Sequence, residues 1–187
     1  EDLKKIAEAG LTLVYLGIET GEDELLQKIN KQTTSDEIVQ ASKKLYEAGI
    51  TLSGTVILGL AGNDPENSKR HARATAKLIN RMNPPEKVNK WYIAALTLMV
   101  PPNTEVKRQV ESGELKPLNS KEALEELKII IENTSNDLHD CVFRSNHASN
   151  YLPLRGVLSR DKQKILRTID YGLSNPDSLR PGYLRGL

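Results

Sequence analysis

Apolar residues follow two patterns along this chain, one typical of buried strands and one typical of amphipathic helices. Nearly continuous apolar runs at 11–18 and 51–58 predict strands covered on both faces, as in a parallel sheet. Between the runs, apolar residues recur at helical spacing. The predicted order is helix 2–9, strand 11–18, helix 22–30, helix 35–48, strand 51–58, helix 65–82, strand 90–97, helix 120–133, strand 141–145 and helix 160–173.

A repeat supports this order of elements. "AEAGLTLVYLGIETG" from Ala7 and "YEAGITLSGTVILGLAG" from Tyr46 share Glu-Ala-Gly, then Leu or Ile, then Thr-Leu, with an offset of 39 residues. Gly10 and Gly49 follow amphipathic runs, where glycine can adopt the left-handed conformation that ends a helix. Each copy therefore predicts one helix end that leads directly into one strand.

Capping patterns predict where three helices begin. An oxygen-bearing side chain stands three residues before a carboxylate, which is the capping-box spacing or close to it. The three pairs are Thr20 with Asp23, Thr34 with Glu37, and Asn119 with Glu122.

Alternating strands and helices predict an α/β fold of parallel strands with right-handed crossovers and outer helices. Four strands do not close a barrel, which in the standard case needs about eight. The sheet is then either small and open or part of a larger barrel. The helix predicted at 2–9 has no strand before it, which favours the larger barrel. We expect a single domain over 1–187, with barrel units in 1–115 and a last helix, strand and C-terminal extension in 116–187. The final "SLRPGYLRGL" is expected to pack back or to fray.

Composition narrows the class of protein. The 187 residues carry 26 Lys and Arg against 25 Asp and Glu, a net charge of +1, which does not favour a nucleic-acid binder. A single cysteine, Cys141, cannot form an internal disulfide and favours a reducing compartment, which we expect to be the cytoplasm. No apolar stretch reaches the roughly 18 residues of a membrane span, so no membrane association is expected.

Candidate chemistry is sought at the carboxyl ends of the strands, where parallel sheets collect their functional loops. Glu19 ends the first apolar run. Its carboxylate could stabilise the N-terminus of the next helix through the helix dipole, or it could bind the two hydroxyls of a ribose. "ILGLAG" at 57–62 lacks the spacing of a phosphate-binding loop.

The stretch "FRSNHASNYL" after the fourth run is dense in side-chain donors and acceptors. It is either a polar surface loop or a substrate-binding segment. A lone His147 suits hydrogen bonding better than general-base catalysis. His71 falls within "SKRHARATAK", which predicts a solvated helix face. No metal site is expected at His139 and Cys141, because these two residues have no further Cys or paired His nearby.

The stretch "YLGIETGEDELLQKINKQTTSDEIVQASKKLYEAGITLSGTVILGLAG" resembles the second half of the core domain of radical S-adenosylmethionine (radical SAM) enzymes. The resemblance covers about residues 1–105. It implies a partial barrel of six βα units, a [4Fe–4S] cluster held by a Cys-x₃-Cys-x₂-Cys motif, and S-adenosylmethionine that yields a 5′-deoxyadenosyl radical.

The resemblance also implies which residues contact the cofactor. Glu19 would end the fourth barrel strand, and Lys31 stands where the family often has an arginine near that carboxylate. "TVILG" resembles the fifth strand, and "LTLMVPPNT" resembles the sixth strand with its Pro-Gly-Thr turn, which here is 102–104 with asparagine at the centre. The implied cofactor-binding residues are Glu19, Thr20, Lys31, Thr55, Ile57, Gly59, Leu60 and Thr97, and the expected substrate-binding residues are Arg144, Asn146, His147 and Asn150.

No Cys-x₃-Cys-x₂-Cys motif occurs in these 187 residues, and a cluster of this kind needs three thiolates. We therefore expect no metal ligands here and a C-terminal portion of a longer radical SAM enzyme, whose N-terminal half would be its partner and hold the cluster. The expected substrate is a small or unidentified molecule. One alternative is a non-catalytic βα binding or scaffold domain that has lost the cluster loop. Another is a nucleic-acid module suggested by the basic residues from Arg155 onward, although no stacking aromatics accompany them.

Overall fold

The computed structural model describes residues 2–86, 88 and 90–186. Within these residues the chain folds into a five-stranded sheet with helices against one face. The strands are β1 (Leu13–Glu19), β2 (Thr51–Leu58), β3 (Trp91–Thr97), β4 (Cys141–Arg144) and β5 (Arg155–Val157). The helices are α1 (Asp2–Glu8), α2 (Asp23–Lys28), α3 (Ser35–Glu47), α4 (Pro65–Arg81), α5 (Glu105–Glu111), α6 (Ser120–Asn133) and α7 (Leu158–Ser174).

Sheet order follows chain order, and β1 to β4 are parallel. Each element predicted from the sequence is present, with ends within two residues of the prediction. The α/β fold of parallel strands and outer helices is therefore confirmed. Two elements were not predicted: the short helix α5, which has no buried residue, and the strand β5, which pairs antiparallel with β4.

The core lies between the sheet and the helices α3, α4, α6 and α7. Side chains alternate along each strand, so that Ile18, Leu52, Val56, Ile93 and Phe143 are buried on the helix side. The opposite face of the sheet is only partly covered, and Tyr15 is 78% exposed there. The expectation that the strands are covered on both faces was wrong for the residues described, because the helices lie on one side alone. We call the other side the open face.

Glycines end the first and third helices as the repeat predicted. Gly10 and Gly49 have φ angles of 105° and 77°, and each follows the last helical turn. The amide of Thr51, at the start of β2, donates to the carbonyl oxygen of Thr12 beside β1. Thus the two copies of the repeat place β1 and β2 side by side, with Leu13 opposite Thr51, one residue away from the alignment of the repeat.

Two of the three predicted capping pairs are confirmed. Thr34 with Glu37 and Asn119 with Glu122 form complete capping boxes at the starts of α3 and α6. The third was wrong: the residue before α2 is Glu22, and its side chain makes no cap hydrogen bond. Asp23 instead accepts a hydrogen bond from the amide of Ser35, at 2.7 Å, and so binds the first turn of α3.

The C-terminal residues pack back on the molecule. Two 3-10 turns, Pro176–Ser178 and Gly182–Leu184, follow α7. The Arg180 guanidinium donates to the carbonyl oxygens of Ala148 and Asn150, at 2.7 and 3.2 Å. Of the two outcomes expected for this tail, the structure has the packed one.

Candidate functional site at the carboxyl ends of the strands

Rows of side chains cross the open face from strand to strand. Gly17, Thr55, Ala94 and Arg144 are in register across β1 to β4, and Arg155 of β5 lies opposite Arg144. Adjacent strands in a sheet are about 4.8 Å apart. The row therefore brings residues from distant parts of the sequence onto one surface near the carboxyl ends of the strands.

Glu19 has an unusual backbone conformation at the end of β1. Its φ angle is 65°, and the register with β2 shifts between Gly17 and Glu19. The amide of Thr20 donates to the carbonyl oxygen of Ile18 at 2.8 Å, which closes a three-residue turn around Glu19. Left-handed backbone at a residue with a side chain costs on the order of 1–3 kcal/mol and is found preferentially at functional sites.

The carboxylate of Glu19 is held in place by Lys31. The Lys31 ammonium donates to Oε1 of Glu19 at 2.9 Å, and the two side chains are 32% and 22% exposed, respectively. A Cβ atom added to Gly17 would lie 2.4 Å from that Oε1, so the carboxylate folds back over the bare backbone of Gly17. The other oxygen, Oε2, has no hydrogen-bond partner among the residues described.

A buried network supports this turn from the helix side. Thr20 Oγ1 accepts from the amide of Glu22 at 3.0 Å, so its own proton is available to Nδ1 of His71 at 2.9 Å. Nε2 of His71 is 3.2 Å from the carbonyl oxygen of Ile57, near the end of β2. His71 is fully buried, so the expectation of a solvated helix face was wrong at this position. The large apolar residues of the buried face of α4, Leu78 and Ile79, come only near its end, so the sequence around His71 shows no apolar stripe.

Glu126 of α6 completes the network. Its Oε1 accepts from the amide of Gly59 at 2.8 Å and lies 3.4 Å from His71 Nε2, and its Oε2 accepts from the hydroxyl of Ser68 at 2.5 Å. The residue is 1% exposed. Sequence reasoning missed both His71 and Glu126, because nothing in their local pattern shows that α4 and α6 bring them to the end of β2.

The implied cofactor residues fall on both sides of the sheet. Thr55 and Ile57 belong to the open side, as do Glu19 and Lys31. Leu60 lines a cavity of about 400 Å³ together with Leu98, Val106 and Leu115. Gly59 is fixed by Glu126, and Thr20 points into the buried network, while Thr97 lies in the helix-side row of β3.

The loop after β4 separates into buried and exposed members. Asn150 is 3% exposed; its amide nitrogen donates to the carbonyl oxygen of Ala95, and Thr97 donates to its side-chain oxygen. Asn146 and His147 are exposed, and the amide of Ser149 donates to Nδ1 of His147 at 3.2 Å. Arg144 is exposed on the open face, where its guanidinium lies 4.9 Å from the centre of the Tyr92 ring.

The tail covers the other side of this loop. The Arg185 guanidinium donates to the carbonyl oxygens of Ser149 and Leu98, at 2.6 and 2.9 Å, and stacks 4.3 Å from the centre of the Tyr151 ring. These contacts join the end of β3, the loop after β4 and the C-terminus.

Metal ligands do not come together in the part of the chain described: no group of three or more His, Cys, Asp or Glu residues is placed to hold an ion there. Cys141 is buried at the start of β4. The described residues likewise contain no helix with the length and hydropathy of a membrane span.

The chain is similar to known proteins in sequence and in fold. Residues 1–74 match the family model described as Radical SAM superfamily. A curated relative, tRNA uridine(34) acetyltransferase of Methanocaldococcus jannaschii, is 25% identical over 125 residues, which are 67% of this chain and 22% of the relative. A solved structure, the archaeal Methanocaldococcus infernus Elp3 with N-terminus deletion (1-46), superimposes with a TM-score of 0.63 at 18% identity, over 92% of this chain and 39% of that one. The chain thus spans well under half of either relative, and the structural similarity supports a partial barrel.

Proposed function

We propose that this chain is a radical SAM superfamily protein and that it supplies the ribose and adenine side of the S-adenosylmethionine site, and part of the substrate site, of a radical SAM enzyme. The observation that carries the proposal is the Glu19 carboxylate, set at the end of β1 in a left-handed turn and held there by Lys31.

The geometry of Glu19 suits a ribose diol. Vicinal hydroxyls are two adjacent donors, and a carboxylate offers two acceptor oxygens. Lys31 uses one side of Oε1, while Oε2 has no protein partner among the described residues. A carboxylate that is fixed before the ligand arrives binds it without a further loss of side-chain freedom.

The end of β2 suits the nucleoside next to that ribose. Thr55 offers a hydroxyl on the open side, and Ile57 offers apolar surface two residues later. His71 and Glu126 hold the backbone of Ile57 and Gly59 from behind, so we assign them a positioning role for this strand end. S-adenosylmethionine, when bound, supplies the radical chemistry of the family; these residues bind and orient its nucleoside.

The iron–sulfur cluster does not fit the donors of this chain. Such a cluster needs thiolate ligands, and the one cysteine, Cys141, is buried on the helix side at the amino end of β4. We therefore propose that the cluster is held by another part of the same protein, and no step is assigned to it here.

The substrate side of the proposed site lies at β4 and the loop after it. Arg144, Asn146 and His147 present exposed polar groups there, while Asn150 serves the fold by bonding Ala95 and Thr97. The curated relative is named for a tRNA. The net charge of +1 favours a small substrate over a nucleic acid for this chain. A small molecule and a nucleic acid differ in the number of phosphate groups that they carry.

The test is the affinity of the full-length protein for S-adenosylhomocysteine, measured by calorimetry. Glu19→Ala removes charge-assisted hydrogen bonds worth about 1.5–3 kcal/mol and should weaken binding roughly 10- to 100-fold. Gly17→Ala should also weaken it, because the added Cβ displaces the carboxylate. Thermal melting should change little in both variants.

The matched control is Glu8→Ala, which removes an exposed glutamate from α1, away from the strand ends. Its affinity should equal that of the wild type. Equal, measurable affinity in all four proteins would contradict the role of Glu19, and no binding by any of them would favour a βα scaffold domain without a cofactor site.

A further inference from the structure

Two arginines face each other directly on the open face of the sheet. Arg144 of β4 and Arg155 of β5 are register partners in the antiparallel pair, so their side chains leave the same face at neighbouring positions. Both residues are exposed. Like charges directly opposite each other on a sheet destabilise it, so the pair is unfavourable for folding by itself.

Neither guanidinium is neutralised within the described chain. Arg144 contacts the ring of Tyr92, and neither Arg144 nor Arg155 has a hydrogen bond or ion pair from its side chain to another residue described. Arg70 and Arg81, in contrast, each bind a carboxylate at 2.5 Å. Asp161, the carboxylate that packs on β5, lies on the helix side and accepts from the amide of Val157 at 2.8 Å.

The pair also lies in the row that reaches the proposed cofactor site. Thr55 and Arg144 are two strands apart, which corresponds to about 10 Å. Between them stands Ala94, which is partly exposed and whose side chain is small. A ligand extending from the nucleoside side of the site across Ala94 would meet the two guanidinium groups.

We propose that Arg144 and Arg155 form a clamp for a phosphoryl group of the substrate. Two guanidinium forks carry two positive charges and offer parallel donors to the oxygens of one group. A phosphate monoester carries about −1.5 to −2 at neutral pH and matches both charges, whereas a carboxylate would leave one arginine uncompensated. Tyr92 holds the Arg144 guanidinium by a cation–π contact and reduces the cost of ordering it.

This inference rests on the proposed function only for the identification of the ligand as substrate. Phosphate binding by the arginine pair is independent of Glu19 and of the cofactor. Loss of phosphate binding and loss of cofactor binding can therefore be detected separately.

The experiment is a calorimetric titration of the full-length protein, at low salt, with inorganic phosphate and separately with adenosine 5′-monophosphate. We expect Arg155→Gln and Arg144→Gln each to weaken phosphate binding at least tenfold. Arg155→Lys, which keeps the charge and loses the fork, should give an intermediate affinity. The matched control is Arg160→Gln, which removes an exposed arginine from the helix α7 and should bind as the wild type does.

Two further ligands identify the source of the phosphoryl group. Adenosine should bind more weakly than its monophosphate, and only the latter should respond to Arg155→Gln. A short single-stranded RNA whose binding is also lost in Arg155→Gln would assign the clamp to a nucleic-acid backbone; insensitivity of the RNA would assign it to a small phosphate ester. Equal phosphate affinity in Arg155→Gln and Arg160→Gln, or no phosphate binding by the wild type, would overturn the clamp.

Discussion

The buried carboxylate of Glu126 shows how one residue can fix the end of a strand. It accepts hydrogen bonds from the amide of Gly59 and the hydroxyl of Ser68 while being 1% exposed. Gly59 has a φ angle of 88°, and a hydrogen bond to its amide holds the turn in that conformation. The contact joins α6 to the loop that follows β2.

Removal of this carboxylate is expected to be costly. Glu126→Ala leaves the buried amide of Gly59 and the partly buried hydroxyl of Ser68 without an acceptor, at about 1–3 kcal/mol each. We expect the free energy of unfolding, measured by urea denaturation, to fall by about 3–5 kcal/mol. The free energy of unfolding should fall less in Glu126→Gln, because the amide oxygen of glutamine can still accept one of the two hydrogen bonds.

The neighbouring Glu125 provides the control for this prediction. Its side chain is 51% exposed and pairs with Lys121 at 3.7 Å on the surface of α6. Glu125→Ala should change the free energy of unfolding by less than about 1 kcal/mol. A loss in Glu126→Ala no larger than that of Glu125→Ala would show that Gly59 finds another partner.

At the scale of elements, the turn between β1 and α2 is pressed against α4. The amide of Gly21 donates to Thr75 Oγ1 at 3.1 Å, and a Cβ atom added to Gly21 would lie 2.2 Å from the carbonyl oxygen of Ala74. That neighbour is helix backbone, which cannot move aside as a flexible side chain can. The approach of α4 therefore fixes the position of the turn that carries Glu19.

We expect Gly21→Ala to move α4 away from this turn. Overpacking of this kind costs about 1–3 kcal/mol, which thermal or urea denaturation would show. Gly182→Ala is the matched control, because a Cβ atom added there meets nothing within 4 Å. Similar stabilities of the two variants would mean that the turn and α4 separate without cost.

Elements were predicted from the sequence to different degrees. The strands and the longer helices were found because their apolar periodicity and their capping boxes, such as Asn119 with Glu122, are local signals. The helix α5 was missed because its seven residues bury nothing and leave no apolar stripe to read. The strand β5 was missed because its three residues are stabilised by pairing with β4, a contact that no local pattern reveals.

For the whole molecule, the buried thiol of Cys141 links stability to pH. Burial raises the pKa of Cys141 well above its ordinary value. In the unfolded chain the thiol releases its proton above about pH 8.5, while the folded chain keeps it protonated. Its contribution to stability is therefore complete below that pH and is lost as pH rises, at about 1.4 kcal/mol per unit.

This predicts a steeper loss of stability in the wild type than in Cys141→Ala. Urea denaturation at pH 7.5 and pH 9.5 should show the wild type losing about 1 kcal/mol more than the variant over that range. Burial also raises the pKa of Tyr46, and Cys141 raises it further; the burial effect, which is the larger cause, is present in both proteins and cancels in the comparison. Parallel losses in the two proteins would mean that the thiol is accessible before global unfolding.

The sequence by itself determined the alternation of strands and helices, the parallel sheet, and the resemblance to the radical SAM superfamily. These follow from periodicity, capping and motif, which are properties of neighbouring residues. Only the tertiary structure decided that His71 and Glu126 are buried beneath the end of β2, that Glu19 folds back over Gly17, and that Arg144 stands opposite Arg155. Such contacts join residues far apart in the chain, and their existence depends on how helices and strands pack, which no local pattern encodes.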